Sequence, residues 1–459
     1  MRRHQQQRSE DREIARIAIP AFLALVAEPL FLLGDAAVIG HVGTRELAGL
    51  GIAGTVLQTV VGLCVFLAYG TTAGVARQLG AGRRTAALRQ GIDGLWLALA
   101  IGLPATLVVV ALADPLVAVL GPPAAVAEPA VIYLRVAALG IAPLLLMLAA
   151  TGVLRGLQDT VTPMVVAIVG SAANLALNVV LVFGLGPVPR LGIAGSALGS
   201  VLAQAAGAAV LVYVVARAAR REGASLRPRA DGIRAAGRAG VPLLVRTLTL
   251  RASLLVTTYA VVLTAGGGPG GAVPIATHQL AVTIWGFLAF ALDAIAIAAQ
   301  AITGRYLGAG DAAATRAVTD RMVRWGVVSG IVTGVGLAAV SPWLGALFTP
   351  DDAVRTALVP VLLVAALAQP VAGVVFVLDG VLIGAGDGRY LAYAGLVVLA
   401  AYAPVMLLAG ALGAGLPGLW VVFSVLFMGG RLVTLVTRSR GSAWLVTGSV
   451  DPSLRRSAE

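Results

Sequence analysis

The chain has 459 residues, of which 59% are hydrophobic and only 12% are charged, and its mean hydropathy is +0.95. Soluble domains carry roughly 25% charged residues, so this composition excludes an ordinary soluble protein and favours one embedded in a lipid bilayer. The formal net charge is +12, but the basic side chains are all arginine and cluster in short segments between apolar runs, which argues against a nucleic-acid partner.

Twelve apolar runs are long enough to cross a bilayer, because a membrane-spanning helix needs roughly 20 mostly apolar residues. Short connections separate the runs, which predicts antiparallel neighbouring helices in an all-α integral membrane protein. In chain order the predicted spans are 14–40, 47–76, 92–113, 130–151, 162–184, 192–216, 239–264, 276–303, 323–345, 357–383, 391–411 and 415–437.

Arginine distribution sets the predicted orientation, since cytoplasmic loops carry the excess of positive charge. Arginines cluster after spans 2, 6, 8 and 12, whereas the opposite loops hold few. The pattern predicts a multi-pass protein of the plasma membrane with both termini in the cytoplasm. The most basic connection, 217–238, lies at the midpoint of the chain. We expect it to be a linker that also fixes topology; a specific anionic-lipid site is the alternative.

The two halves of the chain repeat. Residues 77–82 recur as 305–310, and residues 152–159 recur as 380–387, each pair 228 positions apart. Six spans per half give both halves the same orientation, as in transporters built from parallel repeats. We therefore predict two pseudo-symmetric six-helix bundles that alternate access between the two sides of the membrane. The predicted domains are an N-terminal tail 1–13, an N-terminal lobe 14–216, a basic linker 217–238, a C-terminal lobe 239–437 and a C-terminal tail 438–459.

Polar residues inside the first half are the main functional candidates, because an ionisable side chain at mid-bilayer costs roughly 2.5–3.5 kcal/mol on insertion scales. Glu28 and Asp35 lie seven positions apart on span 1 and should share one face. Asn174 and Asn178 lie one turn apart on span 5, at a similar depth to Asp35. We predict that Asp35 carries a coupling proton, with Asn174, Asn178 and Glu28 as a supporting polar site. An inter-helix hydrogen-bond staple is the structural alternative.

The second half carries a different polar set within its spans. Arg246 and Arg251 lie on span 7, Asp293 on span 8 and Asp379 on span 10. These four residues form a possible C-terminal polar network, as a structural ion pair or as a gating or coupling element.

The sequence contains no phosphate-binding loop, no zinc-protease motif and no acyl-transfer elbow in a suitable context. We predict that the protein is not an enzyme, has no cofactor and no metal site, and draws its energy from an ion gradient.

Several motifs resemble the multidrug and toxic compound extrusion (MATE) family, in its DinF-like branch, over nearly the whole chain. The motifs are Glu28-Pro29, Gly34-Asp35, Val38–Gly43, the Leu-Gly-Ala-Gly turns at 79–82 and 307–310, Gly152–Asp159, Leu292-Asp293 and Ala298–Gln300.

This resemblance implies a V-shaped pair of six-helix bundles that exports organic, often cationic or amphiphilic, compounds in exchange for inward H⁺ or Na⁺. It assigns the family's span 1 carboxylate to Asp35 and its span 5 polar pair to Asn174 and Asn178. Some members carry Asp where this chain has Asn178, and the loss of that carboxylate favours H⁺ over Na⁺ as the coupling ion. The implied partners are small organic substrates and membrane lipid, and the protein is expected to be a monomer.

Two other functions fit a two-lobed membrane protein. A flippase of lipid-linked intermediates needs a strongly cationic cavity, for which Arg246 and Arg251 are the clear candidates. An intramembrane lipid-processing enzyme needs paired acidic motifs or a His-based nucleophile, and neither stands out in the sequence. A channel would not require the repeat, and a gradient-driven flux assay separates it from a transporter.

Overall fold

The computed structural model describes the backbone of residues 2–265 and 272–448, and the side chains of residues 10–27, 29–264 and 272–448. All regular secondary structure in these ranges is helical, which confirms the predicted all-α class. In chain order the α-helices are α1 Arg2–Gly40, α2 Thr44–Leu63, α3 Phe66–Gly80, α4 Arg84–Ala111, α5 Ala113–Val119, α6 Ala124–Ala137, α7 Ile141–Gly156, α8 Val161–Phe183, α9 Gly192–Arg221, α10 Ala230–Ala265, α11 Ala272–Gly308, α12 Ala312–Leu344, α13 Asp352–Gly384, α14 Gly388–Ala411, α15 Gly415–Val422 and α16 Gly429–Arg440.

Twelve helical segments in the described part of the chain are long and apolar enough to cross a membrane, which confirms the predicted number of spans. Several helices extend beyond the predicted spans. Helix α4 begins at Arg84 and α12 at Ala312, whereas hydropathy predicted starts at 92 and 323. Hydropathy marks the hydrocarbon layer rather than the helix, and polar turns continue these helices past the apolar run.

Three of the spans are interrupted. Helices α2 and α3 form one span broken at Cys64 and Val65, and a 3₁₀ turn at Ala138–Gly140 joins α6 to α7. A π-helical turn, Phe423–Met428, joins α15 to α16. Single π turns inside α-helices alter the direction of the side chains around them.

The chain forms two compact units. One comprises Ile19–Gly240 and is called the N-terminal unit below; the other, the C-terminal unit, comprises Val241–Glu459 together with Met1–Ala18. Helix α1 therefore begins in the C-terminal unit and carries Asp35 in the N-terminal unit. The segment predicted as a linker is largely helical, because α9 continues to Arg221 and α10 begins at Ala230.

Within the N-terminal unit, α7 packs closely on α3 because two glycines of α7 face the backbone of α3. A Cβ built on Gly152 would lie 2.5 Å from the carbonyl oxygen of Ala68, and one on Gly156 would lie 2.8 Å from that of Thr72. Real Cβ atoms do not approach that closely, so only glycine permits this helix contact.

The C-terminal unit repeats the same contact between α13 and α11. A Cβ built on Gly380 would lie 2.3 Å from the carbonyl oxygen of Ala296, and one on Gly384 would lie 2.3 Å from that of Gln300. All four positions follow their N-terminal counterparts by 228 residues. The sequence repeat is thus a repeat of helix packing.

Candidate functional site

Asp35 lies on α1 in the N-terminal unit, and only 2% of its surface is exposed. Helix α8 packs beside it: Ser171 Oγ donates to the Ala27 carbonyl oxygen at 3.5 Å, and Leu175 lies against Gly34. Asn174 and Asn178 lie one turn apart on this helix and are 1% and 0% exposed. Helical spacing thus brings two amides to the one carboxylate.

A continuous hydrogen-bond network joins these side chains. Asn178 Nδ2 donates to Asp35 Oδ1 and also to Asn174 Oδ1 at 3.2 Å. Asn174 Nδ2 donates to Ser200 Oγ at 3.0 Å, and Ser200 Oγ donates to Asp35 Oδ2 at 3.3 Å. Both carboxylate oxygens of Asp35 therefore accept a hydrogen bond, an arrangement that stabilises the ionised form.

The structure adds three residues to the set predicted from sequence. Ser196 and Ser200 lie one turn apart on α9, and the Tyr133 hydroxyl of α6 lies within electrostatic reach of both serines and of Asp35. A Gly-Ser pair occurs twice at a spacing of four in span 6, and this periodicity was the available sequence signal. A lone tyrosine in an apolar span gives no comparable signal.

Gly199 makes the approach of α9 to α8 possible. A Cβ built on Gly199 would lie 2.1 Å from Asn178 Oδ1 and 3.3 Å from the Asn178 backbone nitrogen. The amide of Asn178 thus occupies the space that any other residue at 199 would fill. Gly199 thus leaves room for the residue that donates to Asp35.

Asn178 Oδ1 lacks a hydrogen-bond partner within the described part of the chain, and Ser196 Oγ has the Tyr133 hydroxyl as a close polar neighbour there. Buried polar atoms are nearly always paired with protein or ordered water, so these two oxygen atoms retain the capacity to accept a further hydrogen bond. The backbone of Glu28 lies in α1, but its side chain is outside the described residues.

The C-terminal unit holds a separate charged cluster. Arg246 on α10 donates through Nε to Asp379 Oδ1 at 3.1 Å and through its terminal nitrogen to Oδ2. Arg431 on α16 forms an ion pair with the same carboxylate at 3.2 Å. Two arginines from helices distant in sequence thus share one buried carboxylate, and Arg431 was not among the predicted residues.

The other two predicted members of this network are placed differently. Arg251 is exposed on α10, and Asp293 is half-buried on α11. Arg246 and Asp379 are thus two members of the predicted set that the structure joins in an ion pair.

The N-terminal cluster can bind and release one proton or bind a small cation. Within the described side chains it contains one carboxylate, four neutral donors or acceptors from amides and serines, and one phenol. Burial disfavours the charged carboxylate and the hydrogen bonds favour it, so these two effects oppose one another.

Comparison with known proteins identifies the same internal repeat. The model of the MatE family matches the chain twice, at residues 20–180 and at 249–408. Each match covers three complete spans, part of the first span and most of the fifth span of its half.

Relatives occur in plants and bacteria. The chain is 32% identical over 441 residues to Protein DETOXIFICATION 44, chloroplastic, of Arabidopsis thaliana, covering 92% of this chain and 80% of that protein. It is 28% identical over 382 residues to DNA damage-inducible protein F of Escherichia coli, covering 82% and 81%. The crystal structure of the Vibrio cholerae MATE transporter VcmN in the bent form has the same fold, with a TM-score of 0.83, 22% identity and coverage of 98% of both chains.

Proposed function

The chain belongs to the MATE family of multidrug efflux transporters, and on this premise we propose that it exports organic compounds in exchange for inward protons carried by Asp35. The proposed substrates are amphiphilic compounds, many of them cationic, moved by alternating access. The proposed location is the plasma membrane, with both termini cytoplasmic and the protein acting as a monomer.

The observation that carries this proposal is the buried network around Asp35. Asp35 is 2% exposed and bonded to Asn178 and Ser200, and a charged carboxylate buried within a membrane protein costs free energy. Ionisable residues in such places usually have a function. The same donors can serve the neutral acid, because hydroxyl and amide groups can both donate and accept. The site therefore supports reversible proton binding.

The energy available from one proton is sufficient for useful efflux. A membrane potential supplies about 2.3 kcal/mol per charge per 100 mV, which is worth about 50-fold in concentration since 1.4 kcal/mol is tenfold. A pH gradient adds to this for a neutral substrate. For a monovalent cation exchanged one for one, the potential cancels and the pH gradient alone drives export.

Coupling requires that proton and substrate compete, because independent binding would let the proton leak. Helix α1 supplies a means for this competition. Pro20 and Pro29 interrupt its backbone hydrogen bonds, and Gly34 precedes Asp35 directly. We propose that neutralising Asp35 changes the bend of α1 and with it the affinity for substrate.

Sodium is the second candidate coupling ion, because the side chains around Asp35 supply further oxygen atoms. Asn178 Oδ1 and Ser196 Oγ could join Asp35 as oxygen ligands of a hard cation. Protons remain the first candidate because Asp35 is the one acidic side chain described in this cluster, and the position that carries Asp in some relatives is Asn178 here.

Transport in proteoliposomes with each gradient imposed separately tests the proposal. A proton gradient directed into the vesicles should drive substrate out of them against its own concentration gradient. Asp35→Asn should abolish this export while the protein stays folded. The matched control is Asp320→Asn, which neutralises an exposed aspartate on α12 and should transport normally. Wild-type rates for Asp35→Asn would refute the role of Asp35, and transport driven by sodium alone would favour the second candidate.

The proposed orientation has its own test. Single cysteines replacing Thr85 and Ser225, both exposed, in a Cys64→Ala background should react with a membrane-impermeant reagent only from the inside. Labelling of these cysteines from the outside of intact cells would show that the proposed orientation is wrong.

A further inference from the structure

Six arginines at one end of the N-terminal unit are exposed, and within the described residues none of them forms an ion pair. They project from the last turns of α9, from the loop that follows and from the first turns of α10. We call this the linker surface; its residues are Arg217, Arg220, Arg221, Arg227, Arg234 and Arg238.

The loop within the linker surface is held in place rather than left free. Arg89 donates to the carbonyl oxygens of Ser225 and Arg227, the latter at 2.8 Å. Trp96 Nε1 donates to the Leu226 carbonyl oxygen at 2.9 Å. These hydrogen bonds hold the loop on α4, so Arg227 projects from an ordered backbone.

A buried carboxylate adds to this attachment. Asp93, on α4, forms an ion pair with Arg229 at 2.6 Å, and a Cβ built on Gly232 would lie 2.2 Å from Asp93. The start of α10 is therefore seated against α4. An ordered cationic surface loses less conformational entropy on binding an anion than a mobile tail does.

Positive charge at this end of the unit is in excess. The segment 217–238 contains two acidic residues: Glu222 pairs with Arg84 at 3.0 Å, and Asp231 is exposed. The six arginines of the linker surface therefore face solvent with little compensation from the protein.

Several basic residues of the C-terminal unit form ion pairs with acidic side chains. Arg321 binds Asp11 at 2.7 Å, Arg438 binds Asp387 at 2.6 Å, and Arg305 pairs with Glu13. Membrane topology depends on the number of positive residues and is served equally by paired ones. A topology signal is therefore compatible with pairing, and the linker surface is distinguished by concentrating six arginines that form no ion pair within the described residues.

We propose that the linker surface binds the headgroups of anionic phospholipids in the inner leaflet. Guanidinium groups bind phosphate through paired hydrogen bonds, and basic clusters that border a membrane span attract anionic lipid. Helix α9 belongs to an apolar span that ends at Arg221, so its last arginines lie where the helix leaves the apolar layer. The inference rests on the proposed cytoplasmic orientation but not on the coupling ion.

The test measures lipid enrichment around the full-length protein. Protein reconstituted in nanodiscs with equal phosphatidylglycerol and phosphatidylcholine is released into mild detergent, and the retained lipids are counted by native mass spectrometry. One arginine near an anionic surface contributes on the order of five-fold in partition, so phosphatidylglycerol should be enriched at least about five-fold. Because lipid is counted directly, a failed transport assay would leave this result intact.

A fourfold variant, R217Q/R220Q/R234Q/R238Q, should bring the enrichment close to one. The matched control, R45Q/R190Q/R324Q/R440Q, removes the same charge from exposed arginines elsewhere and should retain it. Enrichment in the wild type should also fall as salt is raised, which tests the claim without any variant.

Three results would overturn the proposal. The first is equal retention of both lipids by the wild type at low salt. The second is an equal loss of enrichment in the two fourfold variants, which would assign the effect to total charge. The third is removal of the enrichment by millimolar inorganic phosphate, which would identify a free anion as the ligand.

Discussion

Replacing Gly199 by alanine should raise the proton affinity of the candidate site without altering a polar residue. The new Cβ would lie 2.1 Å from Asn178 Oδ1, so the buried amide must rotate or move away. Either movement removes the hydrogen bond that Asn178 donates to Asp35. Overpacking of this kind also costs about 1–3 kcal/mol of stability.

The size of the functional effect follows from the bond that is lost. A hydrogen bond to a charged group contributes about 1.5–3 kcal/mol, and one pH unit corresponds to about 1.36 kcal/mol. The ionised carboxylate loses a donor, so the proton is retained to higher pH. The midpoint of the pH dependence of substrate affinity should therefore rise by about 1–2 pH units.

The assay is substrate binding to purified protein across a pH series. Gly170→Ala is the matched control, because it lies on α8 and a Cβ there would contact nothing within 4 Å. An unchanged midpoint in a folded Gly199→Ala protein would refute the idea that Asn178 sets the proton affinity of Asp35. The same shift in both variants would point to a general effect of helix packing.

Three further predictions concern stability. Gly380→Ala should lower the free energy of unfolding by about 1–3 kcal/mol, because its Cβ would lie 2.3 Å from the Ala296 carbonyl oxygen; an unchanged melting temperature would contradict this. Asp379→Asn should lower the free energy of unfolding by about 3–5 kcal/mol, measured by thermal unfolding, because two arginines lose their shared carboxylate. Unchanged stability with a shifted pH midpoint of substrate affinity would instead indicate that Asp379 takes part in proton coupling. Gln158→Gly should add up to about 1 kcal/mol, because Gln158 has φ +66° where its repeat counterpart is Gly386; destabilisation would contradict it.

The sequence predicted the number of spans because hydropathy and bilayer thickness fix what can cross a membrane. It could not predict the breaks in those spans. The π turn at Phe423–Met428 and the 3₁₀ turn at Ala138–Gly140 occur in apolar runs whose composition continues unchanged. Such breaks depend on packing against neighbouring helices rather than on the local sequence.

Helical periodicity in the sequence predicted which residues share a face of a single helix. The spacing of Asn174 and Asn178 predicted one shared face on α8, and both reach the neighbourhood of Asp35. Ser200 and Tyr133 come from other helices, and their approach depends on tertiary packing that the glycine at 199 permits. The roles assigned to these residues stay predictions.

The C-terminal network shows the same limit. Arg246 and Asp379 stood out because charged residues are rare in apolar spans. Arg431 was missed, although it lies inside the predicted span 415–437, at the third position of α16 and two turns before Arg438. Only the structure brings α16 to the Asp379 carboxylate.

The most direct test of the central claim is the substrate affinity of purified protein, measured between about pH 5 and pH 9. If proton and substrate compete through Asp35, affinity falls as pH falls, and this dependence disappears in Asp35→Asn. A flat affinity in the wild type, or displacement of substrate by sodium but not by protons, would contradict proton-driven exchange at Asp35.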